Sequence, residues 1–283
     1  MKRHSQHNQT GNQASGERDN KPPPSASTPS RTTDLYPRYA RQLTLPDFGE
    51  AAQLQLARSS ALMVGLGGLG SAAALYLAAA GIGRLVLADF DSVDVTNLQR
   101  QILYRMADVG RRKTQAASTA LLALNPALEV EELDGRLAGS ILESSVGQCD
   151  IVLDGSDNFA TRAAVNEACL ARRRPLVSGA ALRWEGRLAV FDLRRDDSPC
   201  LACLHPDTHE SLENCERGGV IGPLVGVIGS LQALEALKLL TGTAGTCRGG
   251  RLLRYAARSG RFTEFTIERR ADCPVCRNRP ETT

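Results

Sequence analysis

The stretch Leu62–Asp89, LMVGLGGLGSAAALYLAAAGIGRLVLAD, leaves the chain few ways to fold. It reads as a buried strand, a turn of glycines, an apolar helix and a second strand that ends on an acid. Gly65, Gly67 and Gly70 fit G-x-G-x-x-G within the strand–turn–helix setting that gives this pattern meaning. Gly65 permits the tight turn, Gly67 lets the backbone approach a phosphate with no Cβ in the way, and Gly70 lets the helix pack close to the strand. The helix N-terminus directs unpaired N–H groups and a positive dipole end at an anion. Asp89 ends the second strand, where a carboxylate can accept hydrogen bonds from ribose hydroxyls. A nucleotide-binding α/β core is predicted, with the nucleotide left open; a glycine turn without a ligand is the plain alternative.

At 283 residues the chain has room for one large domain or two small ones. A net charge of +3 with scattered basic residues, and only 4% aromatics, argue against nucleic-acid binding. The short run Arg172–Arg174 reads as a solvated helix end. Eight cysteines without a secretory apolar segment ahead of them favour a reducing cytoplasm, with thiols used for metal or chemistry. The most apolar window, Val220–Leu240, carries Gln232, Glu235 and Lys238 and reads as a buried helix, not a membrane span.

Residues 1 to about 33 are polar and are expected to be disordered. RYARQLTLPDFG follows, then a helix from about Gly49 to Arg58. Beyond Asp89, helices are expected from about Arg111 to Leu124, Ser140 to Val146 and Phe159 to Arg172, with strands at about Leu128–Leu133, Asp150–Leu153 and Pro175–Ser178. The pattern then becomes antiparallel over Arg183–Leu193 and irregular over Pro199–Gly222. A long helix, Pro223–Leu240, and strands near Leu252 and Phe265 complete it. This is an α/β class: a Rossmann-like, doubly wound, mostly parallel sheet continuing into a mixed or antiparallel C-terminal part.

Four groups of residues carry chemistry. Cys200-Leu-Ala-Cys203 and Cys273-Pro-Val-Cys276 are two knuckles that offer four thiolates for a closed, tetrahedral structural Zn²⁺ site; two separate redox pairs or free surface thiols are the rivals. Arg100, in DSVDVTNLQRQ, is suited to phosphate, or to a surface ion pair. Lys113, at a helix start, is poorly placed for the dipole and invites an anion; a solvated lysine is the default. In DGSDN, Asp154 and Asp157 lie outside the carboxyl end of a strand, where a carboxylate can hold Mg²⁺ beside phosphate; Asp157 or Ser156 also suits a helix cap.

As an ordered set, GLGGLG, Asp89, TNLQRQ, Lys113, SDN and the paired CxxC motifs resemble the ubiquitin-activating-enzyme-like family that adenylates small sulfur carriers, and most of all its molybdopterin-synthase branch. The resemblance spans about Arg38 to Cys276. It implies that Gly68 and Asp89 hold ATP, that Asn97, Arg100 and Lys113 contact phosphate, that Asp157, followed by Asn158, binds Mg²⁺, and that the four knuckle cysteines bind zinc. It implies that Arg41 of RYARQ reaches into a partner subunit's ATP site, hence a homodimer. Cys215 matches a position that in some relatives bonds covalently to the carrier. Where the family commonly has proline before the lysine, this chain has Arg112, leaving the helix start open.

The implied organisation is a tail, 1–33, and one adenylation domain, 34–283, with a nucleotide-binding part at about 59–180 and a carrier-binding and zinc part at about 181–276. The implied reaction joins the C-terminal glycine of a carrier ending in Gly-Gly to AMP, with release of pyrophosphate. The molybdopterin carrier is the first expectation and the thiamine-pathway carrier the second. The chain ends soon after the second knuckle, so a separate sulfur donor protein is expected. A nicotinamide-dependent oxidoreductase and a catalytically dead nucleotide-binding scaffold are the readings from other classes.

Overall fold

The computed structural model describes residues 35–204, 218–243 and 250–277. The tail expected to be disordered and Cys215 both lie outside the described residues.

Eight strands form one sheet: β1 (Ser60–Val64), β2 (Arg84–Asp89), β3 (Glu129–Asp134), β4 (Ile151–Asp154), β5 (Leu176–Leu182), β6 (Glu185–Phe191), β7 (Gly250–Ala256) and β8 (Arg261–Ile267). Their order is β3-β2-β1-β4-β5-β6-β7-β8. The first five run parallel and β6 to β8 antiparallel, as the sequence predicts. The helices are α1 (Leu35–Leu43), α2 (Gly49–Arg58), α3 (Gly68–Ala80), α4 (Lys113–Leu124), α5 (Gly139–Gly147), α6 (Phe159–Ala171), α7 (Leu201–Leu204) and α8 (Gly222–Thr241).

The central strands read as uninterrupted apolar runs because both faces of the sheet are covered. Ala61 and Met63 of β1 enter the core beneath α3, α4 and α8, while Leu62 and Val64 enter the core beneath α5 and α6. The two edge strands look different. β3 is EVEELD and β8 is RFTEFTI, whose first six residues are exposed; charge on the edges discourages further strand pairing. α8 passes the length and hydropathy test for a membrane span, but half of its apolar window is buried. Its backbone approaches α3 so closely that a Cβ on Gly229 would lie 2.3 Å from the Leu69 carbonyl oxygen. It is a core helix, as expected.

Two boundaries differ from expectation. RYARQ, assigned no element from the sequence, lies in α1, held by Gln42 Nε2 donating to the Ala80 carbonyl at 3.0 Å. The helix expected from Arg111 begins at Lys113. Arg112 is its N-cap with φ −59°, the value a proline would impose, and its guanidinium donates to the Phe90 carbonyl at 2.8 Å. Arg112 thus has a backbone shape that a proline could also adopt.

The sheet positions the site. The chain winds from β1 outward to β3 and then returns to the other side of β1 as β4. The carboxyl ends of β1 and β4 therefore flank the crevice at the switch in winding direction, where open α/β sheets bind ligands.

Candidate functional site

Two loops meet in that crevice: the glycine turn after β1 and DGSDN after β4. Gly65 has φ +85°, and a Cβ there would lie 3.1 Å from the Gly155 backbone, so the loops touch directly. The glycines divide their work. A Cβ on Gly70 would fall 2.0 Å from the Gly65 carbonyl oxygen, whereas one on Gly67, the N-cap of α3, would meet only Gln101 Nε2 at 3.8 Å. Gly70 is closed by packing and Gly67 is open toward the crevice, matching the roles read from the pattern. Gly68 is different: its missing Cβ makes room for Val225 of α8, which would lie 2.5 Å away, so only its backbone N–H is left for a ligand.

Asp89 does more than end a strand. Its Oδ2 accepts from the Leu66 N–H at 2.7 Å and its Oδ1 from the Asp91 N–H at 2.9 Å, tying the glycine turn to β2. Burial pushes its carboxyl up from the ordinary range, against the opposing charge of Lys113 and these hydrogen bonds. Lys113 is 5% exposed, with Nζ 2.8 Å from Asp91 and 4.0 Å from Asp89. The anion that the helix-start lysine invites is thus already supplied in part by the protein. Sequence reading missed Asp91; the D-x-D spacing after an apolar strand was its signal.

Arg100 and Asn97 lie in the loop that follows. Arg100 donates to the Thr96 carbonyl at 3.1 Å and pairs with no carboxylate among the described residues. Asn97 accepts from the Asp94 N–H at 3.4 Å, closing a capped single turn over Val95–Asn97. Tyr104, also missed, is buried and donates to the Leu66 carbonyl at 2.9 Å, bracing the same turn.

The structure separates the two acids of DGSDN. Asp154 is fully buried and accepts from Ser156 N, Ser156 Oγ and Ser178 Oγ at 3.0, 2.6 and 2.8 Å, with the Arg162 guanidinium at 3.7 Å. These contacts fix it as a structural group. Asp157 is exposed, with Asn158 Nδ2 at 3.5 Å and no cation partner among the described residues. The helix cap is neither Asp157 nor Ser156, as the sequence offered, but Asn158, whose Oδ1 accepts from the Thr161 N–H at 2.9 Å. Asp157 is thereby left available for a cation. Arg162, missed because a lone helical arginine carries no signal, links Asp154, Ser178 and the Gly179 carbonyl.

Far from this crevice, Cys200, Cys203, Cys273 and Cys276 are buried, with all four Sγ atoms within 4.8 Å of one another. Cys200–Cys273 at 3.8 Å and Cys203–Cys276 at 3.5 Å are too far apart for disulfides and suited to a shared tetrahedral ion. The two knuckles form one cluster, which removes the reading as separate redox pairs or surface thiols. Contact with Cys200 pulls Cys203 down toward the thiolate and holds Cys200 up as the thiol. By contrast, burial pushes the thiols of Cys149 (up to about 12) and Cys169 up, out of reactive range.

Arg41 is not in the crevice of its own chain. α1 lies against the carboxyl end of α3: a Cβ on Gly81 would strike the Tyr39 ring, and Gln42 bonds Ala80. The glycine turn is at the other end of this 13-residue helix, about 20 Å away. An arginine side chain spans well under half of that.

A family model described as the ThiF family matches residues 39–275, a span that includes the glycine turn, Asp157 and three of the four clustered cysteines. The chain belongs to the ThiF family. It is 44% identical over 241 residues to the Escherichia coli (strain K12) sulfur carrier protein ThiS adenylyltransferase, covering 85% of this chain and 95% of that protein. It is equally 44% identical, over 256 residues, to the adenylyltransferase and sulfurtransferase MOCS3 of Drosophila willistoni, covering 88% of this chain and 55% of that one. The ThiF-family chain thus spans about half the length of its MOCS3 relatives. Among solved structures, E. coli MccB superposes with a TM-score of 0.75 at 21% identity, covering 89% of this chain and 75% of that one. Selenomethionine PaaA gives 0.73 at 23%, covering 84% and 85%, and both establish the shared fold.

Proposed function

We propose that this ThiF-family chain is an ATP-dependent adenylyltransferase acting on the C-terminal glycine of a ubiquitin-like sulfur carrier. The observation that carries the reading is the convergence, at one switch point, of an open glycine turn, the buried Lys113 and an exposed acid, Asp157, with no cation partner among the described residues. A dinucleotide site needs the first of these; the other two suit a triphosphate with its metal.

In the proposed reaction a carrier carboxylate oxygen forms a bond to the α-phosphorus of ATP, and the bond to the departing pyrophosphate oxygen breaks. The nucleophile is already an anion, so no enzyme base is required. The work is to hold two anions together: the α3 N-terminus seats phosphate, Asp89 orders the turn and faces the ribose, Asn97 fixes the loop of Arg100, and Arg100 and Lys113 neutralise charge. Asp157, beside Asn158, would hold the Mg²⁺ that accompanies ATP, which adds further neutralisation of the phosphates. The four-cysteine cluster would hold Zn²⁺ in a closed, structural site, joining the C-terminal end of the domain to the loop after β6. Arg41, out of reach of its own crevice, would serve a second copy's site, which makes the active form a homodimer. Cys215 would attack the carrier's acyl-adenylate, its sulfur bonding to the terminal glycine carbonyl carbon as the bond to AMP breaks and AMP leaves, giving a thioester detectable as a mass adduct lost in Cys215→Ser.

The first carrier proposed is the molybdopterin-synthase small subunit, because VSGAALRWEGRLAVFDLRRDDSPC resembles that branch. The thiamine-pathway carrier is the second, favoured by the near end-to-end match to the ThiS adenylyltransferase. Reduced thiols and a separate sulfur donor fit either, in a cytoplasmic setting. The deciding experiment is ATP–pyrophosphate exchange with each carrier in turn. Exchange with one carrier assigns the pathway. Tight NAD binding with no exchange would replace the proposal with an oxidoreductase, and carrier binding without exchange would leave a scaffold.

A further inference from the structure

Gln101 follows Arg100 in the loop between the single turns Val95–Asn97 and Met106–Asp108. Its side chain is almost fully enclosed, at 3% exposure, and Oε1 has no hydrogen-bond partner. The other end of the carboxamide faces the glycine turn: Nε2 lies 3.8 Å from where a Gly67 side chain would begin. Neither end bonds to any described residue. Gln232 shows the contrast. Its Oε1 is also unpartnered, but its Nε2 donates to the Asp154 and Val177 carbonyls at 2.9 and 3.1 Å, so that amide already serves the sheet.

A buried carboxamide with no partner is unfavourable until another group completes it. Open space lies beside it at Gly67, the N-cap of α3, where a Cβ would meet no described atom but Nε2 within 4 Å and where backbone N–H groups and the helix dipole favour an anion. We infer that Gln101 is a further nucleotide-binding residue, its Nε2–H donated to a phosphate oxygen of the ATP seated on the glycine turn; this rests on the ATP reading above. A neutral amide is useful there. It adds direction without adding charge, so it fixes the phosphate that Arg100 and Lys113 neutralise, and it is rigid because the surrounding packing encloses it.

Gln101→Met keeps the length of the side chain and removes both polar atoms. The nucleotide-free protein is expected to melt at the same or a higher temperature, since an unsatisfied buried group is gone. The Kd for MgATP by calorimetry, and KM for MgATP in pyrophosphate exchange, are expected to rise about tenfold or more, the effect of losing a hydrogen bond to a charged group. A lower melting temperature with unchanged Kd and KM would make Gln101 a packing residue and overturn the inference. Gln101→Glu is isosteric and sets a carboxylate against the phosphates, so it should weaken MgATP further; an unchanged Kd there overturns the inference even where the methionine variant does not fold. Wild-type protein that binds MgATP but performs no exchange removes the adenylation reading, while the Kd comparison still decides Gln101. Wild-type protein that binds no MgATP removes both.

Discussion

Asp89 carries a cost that its position explains. Its carboxylate orders the glycine turn through Leu66 N–H, yet burial raises its pKa despite Lys113 nearby. A raised folded-state pKa means that Asp89 favours folding fully below the ordinary carboxylate value of about 3.9 and loses that contribution as pH rises through its folded value. Asp89→Asn should therefore gain on wild type in thermal melting as pH is raised from about 3.5 to 7, while its affinity for MgATP falls. A melting temperature of Asp89→Asn that falls relative to wild type as pH rises would contradict this. The cations obey a different logic in the proposed reaction, where their work would be done in the transition state. Lys113→Ala and Arg100→Ala are expected to lower pyrophosphate exchange by about 10²-fold or more, as single electrostatic stabilisers do. Near wild-type exchange in either variant would sink the adenylation mechanism.

Within one turn, two glycines of the same motif should fail in different ways. Gly70→Ala places a methyl against the Gly65 carbonyl, backbone on backbone, at 2.0 Å. Neither atom can swing aside, so the substitution is expected to cost about 3 kcal/mol or more of stability, as severe overpacking does. Gly67→Ala has no such neighbour, with Gln101 Nε2 at 3.8 Å as its nearest contact. Its expected effect on denaturant unfolding is within about 1 kcal/mol, whereas MgATP affinity should drop sharply, because the methyl occupies the phosphate's approach. Equal destabilisation of both variants would mean that the turn is packed throughout and holds no ligand. The helix α4 illustrates the same economy: Arg112 can stand at its N-cap because side-chain bonding to Phe90 holds a proline-like φ.

Across the whole molecule, two features reach beyond one crevice. The separation of Arg41 from its own glycine turn by the length of α3 requires a second copy if Arg41 acts at all. Arg41→Ala and Lys113→Ala chains, each inactive alone, should recover about a quarter of wild-type exchange when refolded together, since half of the mixed pairs are heterodimers with one intact site each. No recovery, with dimers verified by sedimentation, would put Arg41 outside catalysis. The cysteine cluster makes the complementary prediction at the other end of the sheet. Wild-type protein should carry one zinc per chain by elemental analysis, and Cys273→Ser should lose it together with thermal stability, before any effect on nucleotide binding.

The residues of Leu62–Asp89 determined on their own that a parallel, doubly wound sheet would form, because an apolar strand, a glycine turn and an apolar helix in succession can bury their faces in few other ways. The knuckle spacing likewise announced four thiols. What the linear order could not decide was which acid of DGSDN is engaged, since Asp154 and Asp157 are three residues apart and chemically alike. Tertiary structure settled it by bringing Ser178 and Arg162 to Asp154, while Asp157 has no cation partner among the described residues. It likewise paired Lys113 with Asp91 across 22 residues, left the amide of Gln101 beside Gly67 without a partner, and set Arg41 at the far end of α3. Each of these depends on contacts between segments distant in sequence, and local pattern carries no record of such contacts.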